Sequence, residues 1–313
     1  MDGTMTFPVL VSNDHGIDSM PSFLNWLGTR VHTVKAELEG AGAVLFRGFP
    51  VRSAEDFDAF AQIFGYEDFT YAESLSNAVR INLTARVFTA NEAPPEIEIF
   101  LHHEMAQTPI YPQKIFFCCL SAAEQGGASP LCRSDLLYAA FKAAHPEWAS
   151  MFAERGLKYN THMPAMDDDT SGQGRSWKST LSVAGRAEAE ARLSALGYSW
   201  SWQDDGSIVT TSPALPAVRR LADGSESFFN QVIAAYCGWK RRDDSRLPVI
   251  TFGNDELIPE EVLNTVADLS HQFVYPAQWQ DGDVALVDNY RVMHGRYPYS
   301  GSRKRKVLVC LAR

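Results

Sequence analysis

Ile99-Phe100-Leu101-His102-His103-Glu104-Met105 carries an H-x-E triplet inside an apolar run. If the run is an extended strand, successive side chains alternate faces. His102 and Glu104 then point the same way and His103 points opposite. One imidazole and one carboxylate on a common face supply two of the three ligands of a 2-His-1-carboxylate site, which leaves open positions on Fe(II) for a cosubstrate and O2. A second stretch, Val287-Asp288-Asn289-Tyr290-Arg291-Val292-Met293-His294-Gly295-Arg296, offers the third ligand. His294 follows an apolar run typical of a buried strand. An H-x-E triplet by itself arises often by chance, so the weight rests on the rest of the chain.

That chain has 313 residues, enough for one large or two ordinary domains, and is 45% hydrophobic, 12% aromatic and 21% charged. This is the composition of a folded, soluble enzyme-sized protein. A net charge of −10 argues against nucleic acid, which needs a basic face to neutralise phosphates. The one basic cluster, Arg303-Lys304-Arg305-Lys306, is short and runs into a buried-looking strand. No signal peptide is expected, because Met1-Asp2-Gly3-Thr4 lacks a basic and then an apolar region. No apolar run reaches ~18 residues, so no membrane span is expected either. Five cysteines are scattered without a C-x-x-C pair. That pattern argues against a disulfide framework or structural zinc and for a reducing, cytoplasmic setting.

Outward from the triplet, many short strands alternate with a few helices. Val44 to Phe49 reads as a strand, then Ser53 caps a helix whose apolar face is Phe57, Phe60, Ala61 and Phe64, with Gly65 as its stop. Val79–Leu83 and Arg86–Thr89 alternate like strands, as do Lys114–Leu120, Leu157–Met163, Val284–Val287 and Arg305–Leu311. Ser134 is placed to cap a second helix, and Pro146 and Gly156 bracket a third. Tyr198–Trp202 and Ile208–Thr210 pair across Asp204-Asp205-Gly206 as a hairpin. Phe228-Phe229-Asn230-Gln231 fits neither period. The acidic, glycine-containing stretch Asp167 to Gly174 has no core pattern; it is either a solvated loop or part of a lid around 160–205. No G-x-G-x-x-G follows a strand, so a Rossmann fold is excluded. The expected architecture is mainly β with flanking helices: one domain over 1–313, built on a double-stranded β-helix (jelly roll).

The order H-x-E, Gly126-Gly127-Ala128-Ser129-Pro130, Asp288-Asn289-x(4)-His294-Gly295-Arg296 and Arg305 resembles the Fe(II)/2-oxoglutarate dioxygenases of the TauD/TfdA superfamily, in its clavaminate-synthase-like branch. Thr89-Ala90-Asn91-Glu92-Ala93-Pro94-Pro95 and Phe229-Asn230-Gln231 add to the likeness, which runs from about Gly42 onward. The resemblance implies that His102, Glu104 and His294 hold Fe(II). It implies that Arg305, eleven residues after His294, and Ser129 bind the distal carboxylate of 2-oxoglutarate. A guanidinium suits that task because it grips a carboxylate bidentately and stays charged in a closed pocket. Arg303 shares its strand face and remains a competitor.

The second arginine of taurine dioxygenase-like members, four residues further on, is Val309 here. The substrate therefore does not carry over from them. What the resemblance implies is O2-dependent hydroxylation of a small amino acid or amino-acid-derived metabolite in secondary metabolism, with release of succinate and CO2. Desaturation or ring formation at the same centre, and a catalytically idle jelly-roll binding protein, stay open. So do a free or carrier-protein-bound substrate and a homo-oligomeric state.

Overall fold

Period-2 alternation along the apolar strands decides which layer each side chain joins. The computed structural model describes residues 6–70, 73–76, 78, 80–91, 93–167, 174–239 and 248–313. It is mostly β with several helices. The larger sheet has six strands in the spatial order Val9–Ser12, Ala43–Arg47, Val284–Asp288, Lys114–Ser121, Lys306–Ala312 and Val87–Thr89. All neighbours are antiparallel except the first pair. A four-stranded sheet faces it, in the order Val274–Ala277, Ser129–Arg133, Val292–Arg296 and Ile99–His102.

In the four central strands of the larger sheet, odd positions fill the space between the two sheets: Ala43, Leu45, Ile115, Phe117, Cys119, Val307, Val309 and Leu311 pack there with Leu131 and Val292. Even positions, among them Val44, Phe46, Phe116, Cys118, Leu308 and Cys310, turn outward. They are covered by Phe23 and Leu27 of the Met20–Gly28 helix, Val34 and Leu38 of Val31–Ala41, and Phe57, Phe60 and Phe64 at Ala54–Gln62 and its exit. The adjacent Cys118 and Cys119 thus belong to opposite faces, as alternation demands. The outer face of the smaller sheet, through Leu101, Cys132 and Met293, is buried by the Ser134–Ala144, Pro146–Arg155, Val232–Cys237 and Glu260–Ser270 helices. A further four-stranded sheet, Ile250–Phe252, Leu157–Met163, Ile208–Thr211 and Ser199–Trp202, carries the expected hairpin and a small core of its own with Trp177, Leu181, Ala189 and Leu193.

Several local signals act as expected. Ser53 Oγ accepts from the Asp56 N–H at 3.0 Å, and Gly65 takes a φ of 64° where that helix ends. Others act differently. The Ser134 hydroxyl caps nothing; it turns inward to His103, Ser227 and the Arg291 carbonyl, because the buried His103 ring needs a polar partner. The expected Val79–Leu83 strand shrinks to a single bridge between Asn82 and Phe88. Val79 itself, Glu92 and residues 168–173 of the acidic stretch lie outside the described residues. No helix among the described residues is long and apolar enough to cross a membrane.

Candidate metal centre

His102 and His294 are direct cross-strand partners in the smaller sheet, the first ending Ile99–His102 and the second at the middle of Val292–Arg296. Residues paired in this way hold their Cβ atoms about 5 Å apart, and the two rings stand 4.4 Å apart. Gly295 permits this approach, since a Cβ there would meet the Ile99 carbonyl at 2.4 Å.

Glu104 joins them by a route that alternation did not anticipate. The strand stops at His102, and Glu104 sits in a turn followed by Met105, whose φ of 60° is left-handed. Asn289, fully buried and contributed by the segment between the Val284–Asp288 and Val292–Arg296 strands, clamps that turn. Its side-chain oxygen accepts from the Glu104 N–H at 2.7 Å, and its NH2 donates to the Glu104 and Pro112 carbonyls at 3.0 and 2.7 Å. The Asn289 carbonyl meets His103 Nδ1 at 2.5 Å, while His103 Nε2 meets Ser134 Oγ at 2.8 Å. His103 therefore points away from the other two residues and braces the turn from behind. The unassigned Phe229-Asn230-Gln231 segment braces it as well. The Asn230 carbonyl accepts from the His103 N–H, and Gln231 Nε2 donates to the His103 carbonyl at 2.9 Å.

The outcome is a compact donor set. Glu104 Oε2 lies 3.3 Å from His294 Nε2 and 3.9 Å from His102 Nε2, and the ligand atoms of all three residues fall within 4.8 Å of one another. Donors about 2.1 Å from one ion and at right angles stand about 3 Å apart, so an ion fits with small adjustments. Among the described residues no other group of three His, Cys, Asp or Glu side chains does this. His102 Nδ1 meets the Phe100 carbonyl at 2.7 Å, which places its proton there and leaves the Nε2 lone pair facing the carboxylate.

Electrostatics favour the ligating forms. Burial, then the neighbouring His294, lowers His102 to about 4, so the imidazole is neutral near pH 7. Burial opposes ionisation of Glu104. The Arg80 guanidinium and then His294 outweigh it and hold the carboxyl well below the usual carboxylate range. Arg80 Nη2 donates to Glu104 Oε1 at 3.0 Å with both side chains buried. Neither Arg80 nor the Asn289 clamp carries a sequence signature in the triplet.

Arg305 and Ser129 are the residues expected to bind 2-oxoglutarate. Arg305 immediately precedes the Lys306–Ala312 strand, whose Val307, Val309 and Leu311 face the inter-sheet space, with a register shift between Lys306 and Val307. Its Nε donates to the Gly127 carbonyl at 3.2 Å, its Cζ lies 5.5 Å from the Tyr299 ring, and it makes no ion pair among the described residues. Gly127 has a φ of 69°, and a Cβ there would come within 3.1 Å of Arg305 Nε. Arg303 is exposed and tied to Asp281, so the competitor is engaged on the surface. Ser129 Oγ is buried and accepts from Trp279 Nε1 at 3.0 Å. Val309 packs in the inter-sheet core.

Arg296 of the His-Gly-Arg motif is structural: its guanidinium donates to the carbonyls of Ala93, Pro94 and Ile97 at 2.7–2.9 Å and so pins the approach to the His102 strand. In the 160–205 region, Asp167 accepts from the Ser176 N–H, and Arg175 donates to the Ser76 and Ser179 carbonyls. Those charges hold the region together; they are not presented to a ligand.

Comparison with known proteins places the chain in a family. The family model described as taurine catabolism dioxygenase TauD, TfdA family matches residues 16–311. A clavaminate synthase-like protein of Arabidopsis thaliana is 36% identical over 293 residues, which cover 93% of this chain and 88% of that protein. The dapdiamide synthesis protein DdaC of Enterobacter agglomerans is 26% identical over 294 residues, covering 88% and 84%. Among solved structures, AAD-2 in complex with Mn(II) and N-oxalylglycine superposes with a TM-score of 0.51 at 14% identity, covering 97% of this chain and 94% of that one. PvcB of Pseudomonas aeruginosa gives 0.53 at 14% identity, covering 97% and 84%. At that identity the two structures speak to the fold alone.

Proposed function

Because the chain belongs to the TauD/TfdA family of Fe(II)- and 2-oxoglutarate-dependent dioxygenases, we propose that it hydroxylates a small amino acid or amino-acid-derived metabolite in secondary metabolism. His102, Glu104 and His294 would hold the Fe(II). The observation that carries this reading is the carboxylate turned by one oxygen toward two imidazole Nε2 atoms at 3.3 and 3.9 Å. When bound, Fe(II) with 2-oxoglutarate and O2 supplies the oxidising chemistry, with succinate and CO2 as coproducts.

The chain's own residues do the rest. The two imidazoles would donate lone pairs, and Glu104 would contribute the negative charge. Arg305 and Ser129 take the distal carboxylate of 2-oxoglutarate. In support, Arg305 has no acidic partner to displace among the described residues, and its Nε already anchors the side chain on the Gly127 carbonyl. Phe117 and Trp279, the first 5.1 Å from the His294 ring, wall this side with apolar surface and keep water out. Glu104 occupies the position that a halide would need, so the outcome is oxygenation.

We read 1–313 as one oxygenase domain with a jelly-roll core formed by the two facing sheets, and the region around 160–205 as a lid. In support, that region packs over the turn after Glu104. A cavity of about 30 Å³ between them is lined by Gln107 and Thr108 on one side and Met163, Leu181 and Tyr198 on the other. Arg192 also ties this region to the Glu73 carbonyl. The relation to the dapdiamide synthesis protein supports an amino-acid-derived substrate. The test is a panel of amino acids, free and carrier-bound, incubated with Fe(II), 2-oxoglutarate, O2 and chloride. Succinate formation coupled to a product heavier by one oxygen is expected. A chlorinated product refutes the outcome, and turnover only of compounds lacking both amine and carboxylate refutes the substrate class.

A further inference from the structure

The two oxygens of the Glu104 carboxylate have different surroundings. Oε2 faces His102 and His294, whereas Oε1 accepts from Arg80 Nη2 at 3.0 Å. Arg80 precedes the Val87–Thr89 strand, and its guanidinium carbon lies 5.3 Å from the ring centroid of Phe88 on that strand. Both members of the ion pair are buried, at 8% and 5% side-chain exposure, so water competes weakly for either. A hydrogen bond between a guanidinium and a carboxylate in such surroundings is among the stronger ones a protein makes.

The consequence concerns coordination number. A free carboxylate can chelate one ion through both oxygens. A three-residue facial set and a bidentate 2-oxoglutarate occupy five positions of an octahedron and leave one. If Glu104 turned to chelate, that last position would be filled and O2 would be shut out. The geometry points to Arg80 as the positioning residue that holds Glu104 to a single ligating oxygen and so keeps the last position open. This inference rests on the assignment of Glu104 as a ligand. Arg80 touches neither the substrate nor the ion in this role; it acts through the carboxylate.

The experiment compares the full-length wild-type protein with Arg80→Gln, Arg80→Lys and Glu104→Ala under anaerobic conditions. Fe(II) and 2-oxoglutarate binding is followed by the visible charge-transfer absorption of the chelate. Access to the remaining position is followed by titration with nitric oxide, read by electron paramagnetic resonance. Arg80→Gln is expected to form the chelate yet bind nitric oxide at least ~10-fold more weakly, the effect of one lost hydrogen bond to a charged group. Arg80→Lys, which keeps a cation, is expected to recover part of that loss. Wild-type nitric oxide affinity in Arg80→Gln overturns the inference.

Glu104→Ala is expected to lose the chelate. If it forms the chelate with wild-type affinity, the ligand assignment itself falls, and the role of Arg80 with it. A crystal structure of the wild-type protein with Mn(II) and 2-oxoglutarate decides the same point without a variant. Monodentate Glu104 with Arg80 on Oε1 supports the inference; bidentate Glu104 overturns it.

Discussion

Replacing Asn289 with alanine removes the clamp that positions the carboxylate from 185 residues away in sequence. Three buried groups lose their partner: the Glu104 N–H and the Glu104 and Pro112 carbonyls. At roughly 1–3 kcal/mol for each unsatisfied group, the loss lies between about 3 and 9 kcal/mol. A water entering the vacated space can satisfy some of them, which favours the lower part of that range, about 3–5 kcal/mol. Against a total stability of about 5–15 kcal/mol, the variant is expected to fold with a much lower urea midpoint. Asn289→Leu keeps the branched shape but is bulkier, keeps water out and leaves the same groups unpaired, so it should lose at least as much. With the turn released, Mn(II) affinity should fall about 10–100-fold, as for other supporting residues around metal ligands. Urea unfolding of the metal-free proteins and Mn(II) titration measure the two effects separately. A loss below about 1 kcal/mol in both variants, the worth of a single ordinary hydrogen bond, would refute the clamp.

Other outcomes follow from the same geometry. Glu104→Ala should abolish turnover and weaken iron binding; normal turnover would show that the ligand set is wrong. Arg305→Ala removes one partner of a charged pair worth about 2–5 kcal/mol, so the 2-oxoglutarate requirement should rise at least ~10-fold. An unchanged requirement there, with a large change in Arg303→Ala, would move the role two residues upstream. Gly127→Ala places a Cβ 3.1 Å from Arg305 Nε on a left-handed backbone and should raise the same requirement while leaving Mn(II) affinity intact. Burial lowers His103 to about 3, below its value near 6.5 in the unfolded chain. The unfolded state therefore binds the extra proton, and the stability held above pH 6.5 is lost as pH falls toward 3, at up to ~1.4 kcal/mol per pH unit. In His103→Gln the slope of metal-free stability against pH should be shallower, and equal slopes in the two proteins would contradict the buried neutral ring.

The strands, most helices and the identity of the candidate ligands were legible because they follow local rules. Alternation along 305–311 put Arg305 on the inner face; in the structure it is half-buried against the Gly127 carbonyl, whereas Arg303 is exposed and paired with Asp281. The Ser53 cap and the Gly65 stop depend only on neighbouring backbone groups and appear as read. Where a residue's partner is distant, local rules chose wrongly: Ser134 has a helix start beside it but spends its hydroxyl on His103, 31 residues away.

The H-x-E triplet shows the division most clearly. The sequence alone determined that an imidazole and a carboxylate stand two residues apart, with a third candidate in a late apolar strand. Alternation in a continuous strand would bring the first two together. The chain instead breaks the strand after His102 and turns, with Met105 left-handed. Only the tertiary structure decided that this turn is held by Asn289, Gln231 and Asn230, that His294 pairs with His102 across the sheet, and that Arg80 takes one oxygen of Glu104. The physical reason is range. Strand period and helix caps are settled by neighbouring residues, whereas a buried turn needs hydrogen-bond partners brought to it by packing, and nothing local marks which distant residues those will be.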